Sequence, residues 1–313
     1  MSRTCSFMKR NCDRQIGRDL MTSASKRLIK MSTKADAKRD SGLTIPEDIE
    51  YIRDLPYGEE NRFHSLDVCY PKEVNPIEKI PVIVSVHGGG YVYGSKKVYQ
   101  FYCADLAKRG FAVVNFNYRL APYYHFPDPI LDIDDVLKWV YDNSKIYPFD
   151  TENVFLLGDS AGAQLACQYG VIYTNEEYRK LFDLSLPHLT IRALGLNCGM
   201  YDLYKSAKKG GKRGCFKDYF GGEPLKQYGE KLKVLEYLTK DFPPSYILSA
   251  KGDYMRVFAE PMAAFLDEKG VENDKKIYGD RKTGHVFHVN VRSDIGREAN
   301  DDEIAFFKKY LVK

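Results

Sequence analysis

Two hydrophobic rhythms alternate along the chain. "IPVIVSVH" (80–87), "FAVVNFNYRL" (111–120), "VFLLGDS" (154–160), "IRALGLNCGMYD" (191–202) and "SYILSAKGD" (245–253) are apolar runs rich in β-branched residues. Such runs predict strands buried on both faces. "HSLDVCYP" (64–71) and "DKKIYG" (274–279) predict flanking strands. Between them lie segments with apolar residues at helical spacing: "VYQFYCADLAKRG", closed by Gly110, "ILDIDDVLKWVYDNSKIY", "AGAQLACQYGVIY" and the terminal "DDEIAFFKKYLV". Buried strands alternating with helices predict an α/β protein with a mostly parallel central sheet and helices on both faces.

Two stretches depart from this rhythm. Residues 41–58, "SGLTIPEDIEYIRDLPYG", read as a linker entering a single domain that runs from 41 to 313. Residues 204–242 are basic and Gly-rich with scattered aromatics, and read as an insertion between two strands, either a lid over the sheet edge or a solvated excursion.

Charge and cysteine content narrow the setting. The 313 residues carry a formal net charge of +4, yet residues 1–40 hold eleven Lys or Arg against four Asp or Glu. The remainder is mildly acidic, which does not argue for a nucleic-acid partner. The first 40 residues read as a basic arm, solvated and unordered or folded into a cap; Ile16, Leu20, Leu28 and Ile29 form a weak helical stripe, and a membrane-surface helix is the less favoured alternative. Seven cysteines, none with metal-ligand or C-x-x-C spacing, predict free thiols in a reducing compartment. No run approaches a membrane span and no apolar secretion signal is present, so the expected location is the cytoplasm.

Candidate chemistry begins at Gly158-Asp159-Ser160-Ala161-Gly162, between an apolar strand and a helix. G-x-S-x-G in that context is a turn that lifts a serine hydroxyl above a sheet. The hydroxyl needs a base. Of six histidines, His285 in "KTGHVFHVNV" is favoured, because a loop behind Gly284 can aim an imidazole at the sheet edge; His288 is the competitor and reads as structural. The base needs a carboxylate to hold its tautomer. Asp253, released at the tip of a strand, fits, with Asp202 as runner-up. Acyl transfer would place negative charge on a carbonyl oxygen, and the triplet Gly88-Gly89-Gly90 after a strand can bring bare amides to it.

"HGGGYVYG", "NYRLAP", "GDSAG", a strand ending in "GD", and "GHVFH" stand in the order found in hormone-sensitive-lipase-like esterases, and from about Leu66 onward the chain resembles that family of the α/β-hydrolase fold. The resemblance implies carboxylic ester hydrolysis through an acyl-enzyme, without metal or cofactor. It implies Ser160 as nucleophile, His285 as base, Asp253 as orienting acid, and Gly89, Gly90 and the Ala161 amide as oxyanion donors; His87 would order the glycine loop. This chain departs from the family pattern at Tyr123, where Glu is frequent, at Ala163-Gln164, where a second Gly is usual, and at "DYM" in place of "DPL".

The function expected is therefore a cytoplasmic carboxylesterase acting on small-molecule esters with short acyl groups, with Tyr91, Tyr93, Tyr123, Tyr124 and the aromatics near Phe216–Phe220 as candidate pocket walls. A serine peptidase or amidase on the same scaffold ranks second. A non-catalytic ligand-binding relative ranks third, because no member of the triad is missing. By resemblance alone the protein would be a homodimer.

Overall fold

The computed structural model describes residues 20–60, 62–74 and 78–313; the remainder of the basic arm, with Cys5, Cys12 and Ile16, lies outside the described residues. In chain order the main elements are α1 (Ser23–Asp40), β1 (Ile49–Pro56), β2 (Ser65–Pro71), β3 (Ile80–Val86), α2 (Lys96–Ala107), β4 (Ala112–Phe116), α3 (Asp128–Asp142), β5 (Phe149–Asp159), α4 (Ala161–Thr174), α5 (Glu176–Lys180), β6 (Ile191–Asn197), α6 (Leu203–Gly210), α7 (Gly214–Phe220), α8 (Pro224–Tyr228), β7 (Ser245–Ala250), α9 (Ala259–Lys269), β8 (Asn273–Tyr278) and α10 (Asp294–Lys308).

The strands form one eight-stranded sheet in the order β1-β2-β4-β3-β5-β6-β7-β8. β1, β2 and β4 pair antiparallel, and every other neighbouring pair is parallel. The continuous apolar runs are explained by the two-residue period of a strand. Val82, Val84, Val114 and Leu156 enter a core beneath α3 and α4, whereas Ile83, Val113, Phe155 and Leu157 enter a second core beneath α2 and α10. A strand sandwiched in this way has no polar face.

The structure corrects several sequence expectations. The stretch expected to be a linker contains β1, an edge strand paired with β2 in a register that shifts between Ile52 and Leu55. Its charges, Glu50, Arg53 and Asp54, hid it, and charge is what protects an exposed edge from further pairing. β4 and β6 stop at Phe116 and Asn197, short of the ends of their apolar runs: Cys198 turns out of strand geometry at φ 52°, and Tyr118 and Cys198 are buried in the loops that follow. The last helix starts at Asp294, earlier than its apolar stripe suggests, with the Ser293 hydroxyl accepting from the Gly296 amide.

Residues 204–242 lie between β6 and β7 and fold into short helices rather than an open loop. They send Tyr219, Phe220, Leu232, Val234, Leu238 and Phe242 into the larger core. α1 packs on α7, where the Thr22 amide and hydroxyl donate to the buried Asp218 carboxylate at 2.8–3.1 Å. Among the described residues five cysteines are free, and no helix is long and apolar enough to cross a membrane.

Candidate active site

The turn between β5 and α4 is forced by two close approaches. A Cβ on Gly158 would lie 2.3 Å from the Gly162 carbonyl oxygen, and one on Gly162 would lie 1.9 Å from that of Val86. Only glycine at both positions lets the chain reverse this tightly against β3. Ser160 at its apex adopts φ 53°, ψ −114°, a conformation costly for a residue with a side chain and held here by its own amide donating to the Asn197 carbonyl at 2.8 Å.

The loops after β7 and β8 bring the partners. His285 Nε2 lies 2.9 Å from Ser160 Oγ, and Nδ1 lies 2.8 Å from Asp253 Oδ1. With Nδ1–H donating to the carboxylate, Nε2 is left free to accept the serine proton. The Asp253 side chain is fully buried. Burial alone would raise its pKa, but the hydrogen bond and charge of His285, the Met255 amide at 2.8 Å and the Cys198 thiol hold it below the usual range. The Ser249 hydroxyl donates to its second oxygen at 3.0 Å. Asp202, the runner-up, instead caps α6 through the Lys205 amide. His288 is fully buried, with burial pushing its pKa down to about 3.

The glycine loop is set by its neighbours. Gly89 and Gly90 have φ +119° and +60°, and a Cβ on Gly89 would lie 2.1 Å from the Tyr93 carbonyl oxygen. Among the described residues nothing accepts a hydrogen bond from the Gly89 or Gly90 amide. The Ala161 amide stands at the first position of α4, where helix geometry provides no internal acceptor. All three residues border one cavity together with Ser160 and His285. His87 is buried beside them, stacked on Tyr118 at 4.2 Å, with Nδ1 2.8 Å from the Gly88 carbonyl oxygen; burial pushes its pKa down to about 4, so it stays neutral.

Sequence reasoning missed Asp159, the residue inside G-x-S-x-G. Its carboxylate accepts from the Gly88 amide at 3.2 Å and from the Tyr99 hydroxyl at 2.8 Å, tying the glycine loop to the serine turn. Burial pushes its pKa up to about 6, against the lowering influence of Tyr99, His285, the Gly88 amide and Arg39. An acid at the end of an otherwise apolar strand was the available signal.

The cavity above Ser160 is about 350 Å³. Tyr91, Gln164, Met200 and Phe216 border it from the body and α7, and Leu28, Ser32, Asp36 and Arg39 border it from α1. The two motif tyrosines are anchors as well as walls. The Tyr91 hydroxyl donates to Gln164 at 2.9 Å, and the ring stacks on Tyr219 at 3.8 Å. Tyr93 donates to Asp36 at 2.8 Å, which in turn pairs with Arg39. Tyr123 and Tyr124 do not border this cavity: the Arg62 guanidinium lies over the Tyr123 ring, and Tyr124 packs edge-on against Phe63. Gln164, which follows Ala163, begins a buried chain of hydrogen bonds through Gln168 to Tyr178 and the Lys231 carbonyl.

Cys198, Asp253 and His285 converge closely enough to suggest a metal site. Their chemistry fits poorly: burial pushes the Cys198 thiol well up, away from the thiolate a metal requires, and His285 Nδ1 is already engaged by Asp253.

Comparison with known proteins gives a consistent picture. A family model described as BD-FAE matches residues 66–260. Esterase LipQ of Mycobacterium tuberculosis is 24% identical over 67% of this chain and 51% of its own length. Arylacetamide deacetylase of Bos taurus is 42% identical over 26% of this chain and 22% of its own. Among solved structures, esterase B of Lactobacillus rhamnosis inhibited by a tributyrin phosphonate superposes with a TM-score of 0.81 at 25% identity, covering 90% of this chain and 92% of that one. The fold is thus that of the α/β-hydrolase esterases. The chain spans between 44% and 58% of the length of the curated relatives that match it over 62% or more of its own length.

Proposed function

The chain belongs to the BD-FAE family and is a hormone-sensitive-lipase-like α/β-hydrolase; from that premise we propose that it is a serine hydrolase cleaving carboxylic esters with short acyl chains through an acyl-enzyme. The observation that carries this reading is the unbroken line from Asp253 through His285 to Ser160, at 2.8 and 2.9 Å, beside a loop with two unengaged amides.

In this mechanism His285 Nε2 takes the Ser160 proton as Oγ attacks the ester carbonyl carbon. The electron pair of the carbonyl moves to oxygen, where the amides of Gly89, Gly90 and Ala161 receive it. Donors of this type are worth roughly 3–4 kcal/mol each in the transition state. The tetrahedral intermediate expels the alcohol, protonated by His285, and leaves the acyl group on Oγ. Water, deprotonated by His285, then repeats the attack and frees the acid. Asp253 stays ionised throughout and stabilises the imidazolium. The short-chain preference is supported by the cavity of about 350 Å³ and by Gln164, Tyr91 and Phe216 at its wall.

The test is hydrolysis of p-nitrophenyl acetate, butyrate, octanoate and palmitate by wild type and by Ser160→Ala. The expected result is turnover concentrated on acetate and butyrate and a loss of roughly 10³-fold or more in the variant. Turnover of palmitate above butyrate would refute the chain-length assignment, and an active variant would refute the mechanism. An amidase reading shares every atom of this site, and similarity to a protein named arylacetamide deacetylase favours testing an aryl acetamide beside the esters.

A further inference from the structure

The fold brings the two basic stretches of the sequence onto neighbouring elements, α1 and the α6–α7 region. At 100° per residue, Lys26, Arg27, Lys30, Lys34 and Lys38 of α1 fall within an arc of about 120°, and all five are exposed. Leu28, Ser32, Asp36 and Arg39 occupy the other side of the same helix and border the cavity. The acids of α1, Asp36 and Asp40, both pair with Arg39 rather than with a cation of the stripe, so α1 keeps a net positive charge.

The Thr22–Asp218 contact seats the start of α1 beside the α6–α7 region, where Lys208, Lys209, Lys212, Arg213 and Lys217 are exposed. Glu223 answers only Lys212, at 2.5 Å. Exposed aliphatic side chains are set among these cations: Leu20 (71% exposed) beside Lys212 and Lys217, Leu225 beside Lys208 and Arg213, and Met31 (59%) at the edge of the α1 stripe.

We propose that this face docks on an anionic lipid bilayer, with α1, the helix that borders the cavity above Ser160, lying against the membrane surface. Charge complementarity selects an anionic partner. The interleaved Leu20, Met31 and Leu225 select a lipid surface over a nucleic acid, since aliphatic side chains gain by entering the headgroup boundary and offer no ring on which a base can stack. The surface stands independently of the hydrolytic assignment, and vesicle binding is measured without any substrate.

The experiment is sedimentation of the full chain with phosphatidylcholine vesicles and with vesicles containing about 30% phosphatidylserine, a composition chosen for its negative surface potential. Selective, salt-sensitive binding to the anionic vesicles is expected. Each cation near such a surface contributes roughly fivefold, so the triple variant Lys26→Glu/Lys30→Glu/Lys34→Glu should bind at least about 100-fold more weakly. A second variant on the other half of the face, Lys208→Glu/Lys209→Glu/Arg213→Glu, is expected to do the same, so the test does not depend on α1 tolerating three changes. Equal binding to both vesicle types, unchanged binding by both variants, or capture by duplex DNA without capture by vesicles would each overturn the proposal.

Discussion

Asp159→Asn separates the shape of the buried carboxyl from its charge. The carboxyl is buried in the folded protein, accepts from the Gly88 amide and the Tyr99 hydroxyl, and has its pKa pushed from 3.8 up to about 6 by burial. A raised acid pKa means that the folded state holds its proton more tightly than the unfolded chain. Its contribution is fully present below the unfolded value of 3.8 and is lost as pH rises through about 6. A shift of about two units corresponds to about 3 kcal/mol when both states are ionised. Asparagine imitates the protonated form at every pH. The stability of Asp159→Asn relative to wild type should therefore grow with pH, and about 1 to 2 kcal/mol of that growth falls between pH 5 and pH 8. Urea unfolding of both proteins across that range reads the difference directly. A stability gap that stays constant or narrows with rising pH would refute the claim that Asp159 is held at a cost. The same variant puts an amide NH2 where one of the two accepting carboxylate oxygens stood, so the bond to this side chain from either the Gly88 amide or the Tyr99 hydroxyl is lost, and kcat should fall about tenfold or more, as expected for a positioning residue.

Asp253→Asn should lower kcat by about 10⁴ with little change in KM, because the amide stabilises the wrong imidazole tautomer and cannot stabilise the imidazolium; steady-state kinetics on p-nitrophenyl butyrate reads this, and a loss under tenfold would contradict the assigned role. Gly162→Ala should destabilise the protein by about 3 kcal/mol or more, since its Cβ would sit 1.9 Å from the Val86 carbonyl oxygen and neither strand nor helix can yield; a melting temperature equal to that of wild type would show that the turn is looser than described.

What the sequence discloses about this molecule depends on whether a residue acts through local pattern or through distant partners. β3 and β5 are legible because strands covered on both faces must be apolar at every position, as Val82–Val84 and Val154–Leu157 are. Gly158, Ser160 and Gly162 are legible because a turn this tight tolerates few residues. The Ser…Asp…His order places Asp253 and His285 after Ser160, and the structure brings all three within hydrogen-bonding reach. β1 was not legible, since an edge strand carries Glu50, Arg53 and Asp54, which resemble a loop. α1 was legible only as one of two favoured readings of the basic arm, a cap, because of its residues at the cavity only Leu28 is apolar while Ser32, Asp36 and Arg39 are polar. The part played by Asp159 depends on Gly88 and Tyr99, 71 and 60 residues away, and no local pattern contains that distance.

The central claim is that Ser160 Oγ forms a covalent bond with the acyl group. Intact-protein and peptide mass spectrometry after exposure to an alkyl phosphonate ester, which mimics the tetrahedral intermediate, tests it most directly. The account predicts one phosphonyl adduct per chain, located on Ser160, absent from Ser160→Ala, and formed in step with the loss of p-nitrophenyl butyrate hydrolysis. An adduct on another residue, or hydrolysis that persists after Ser160 is fully modified, would contradict it.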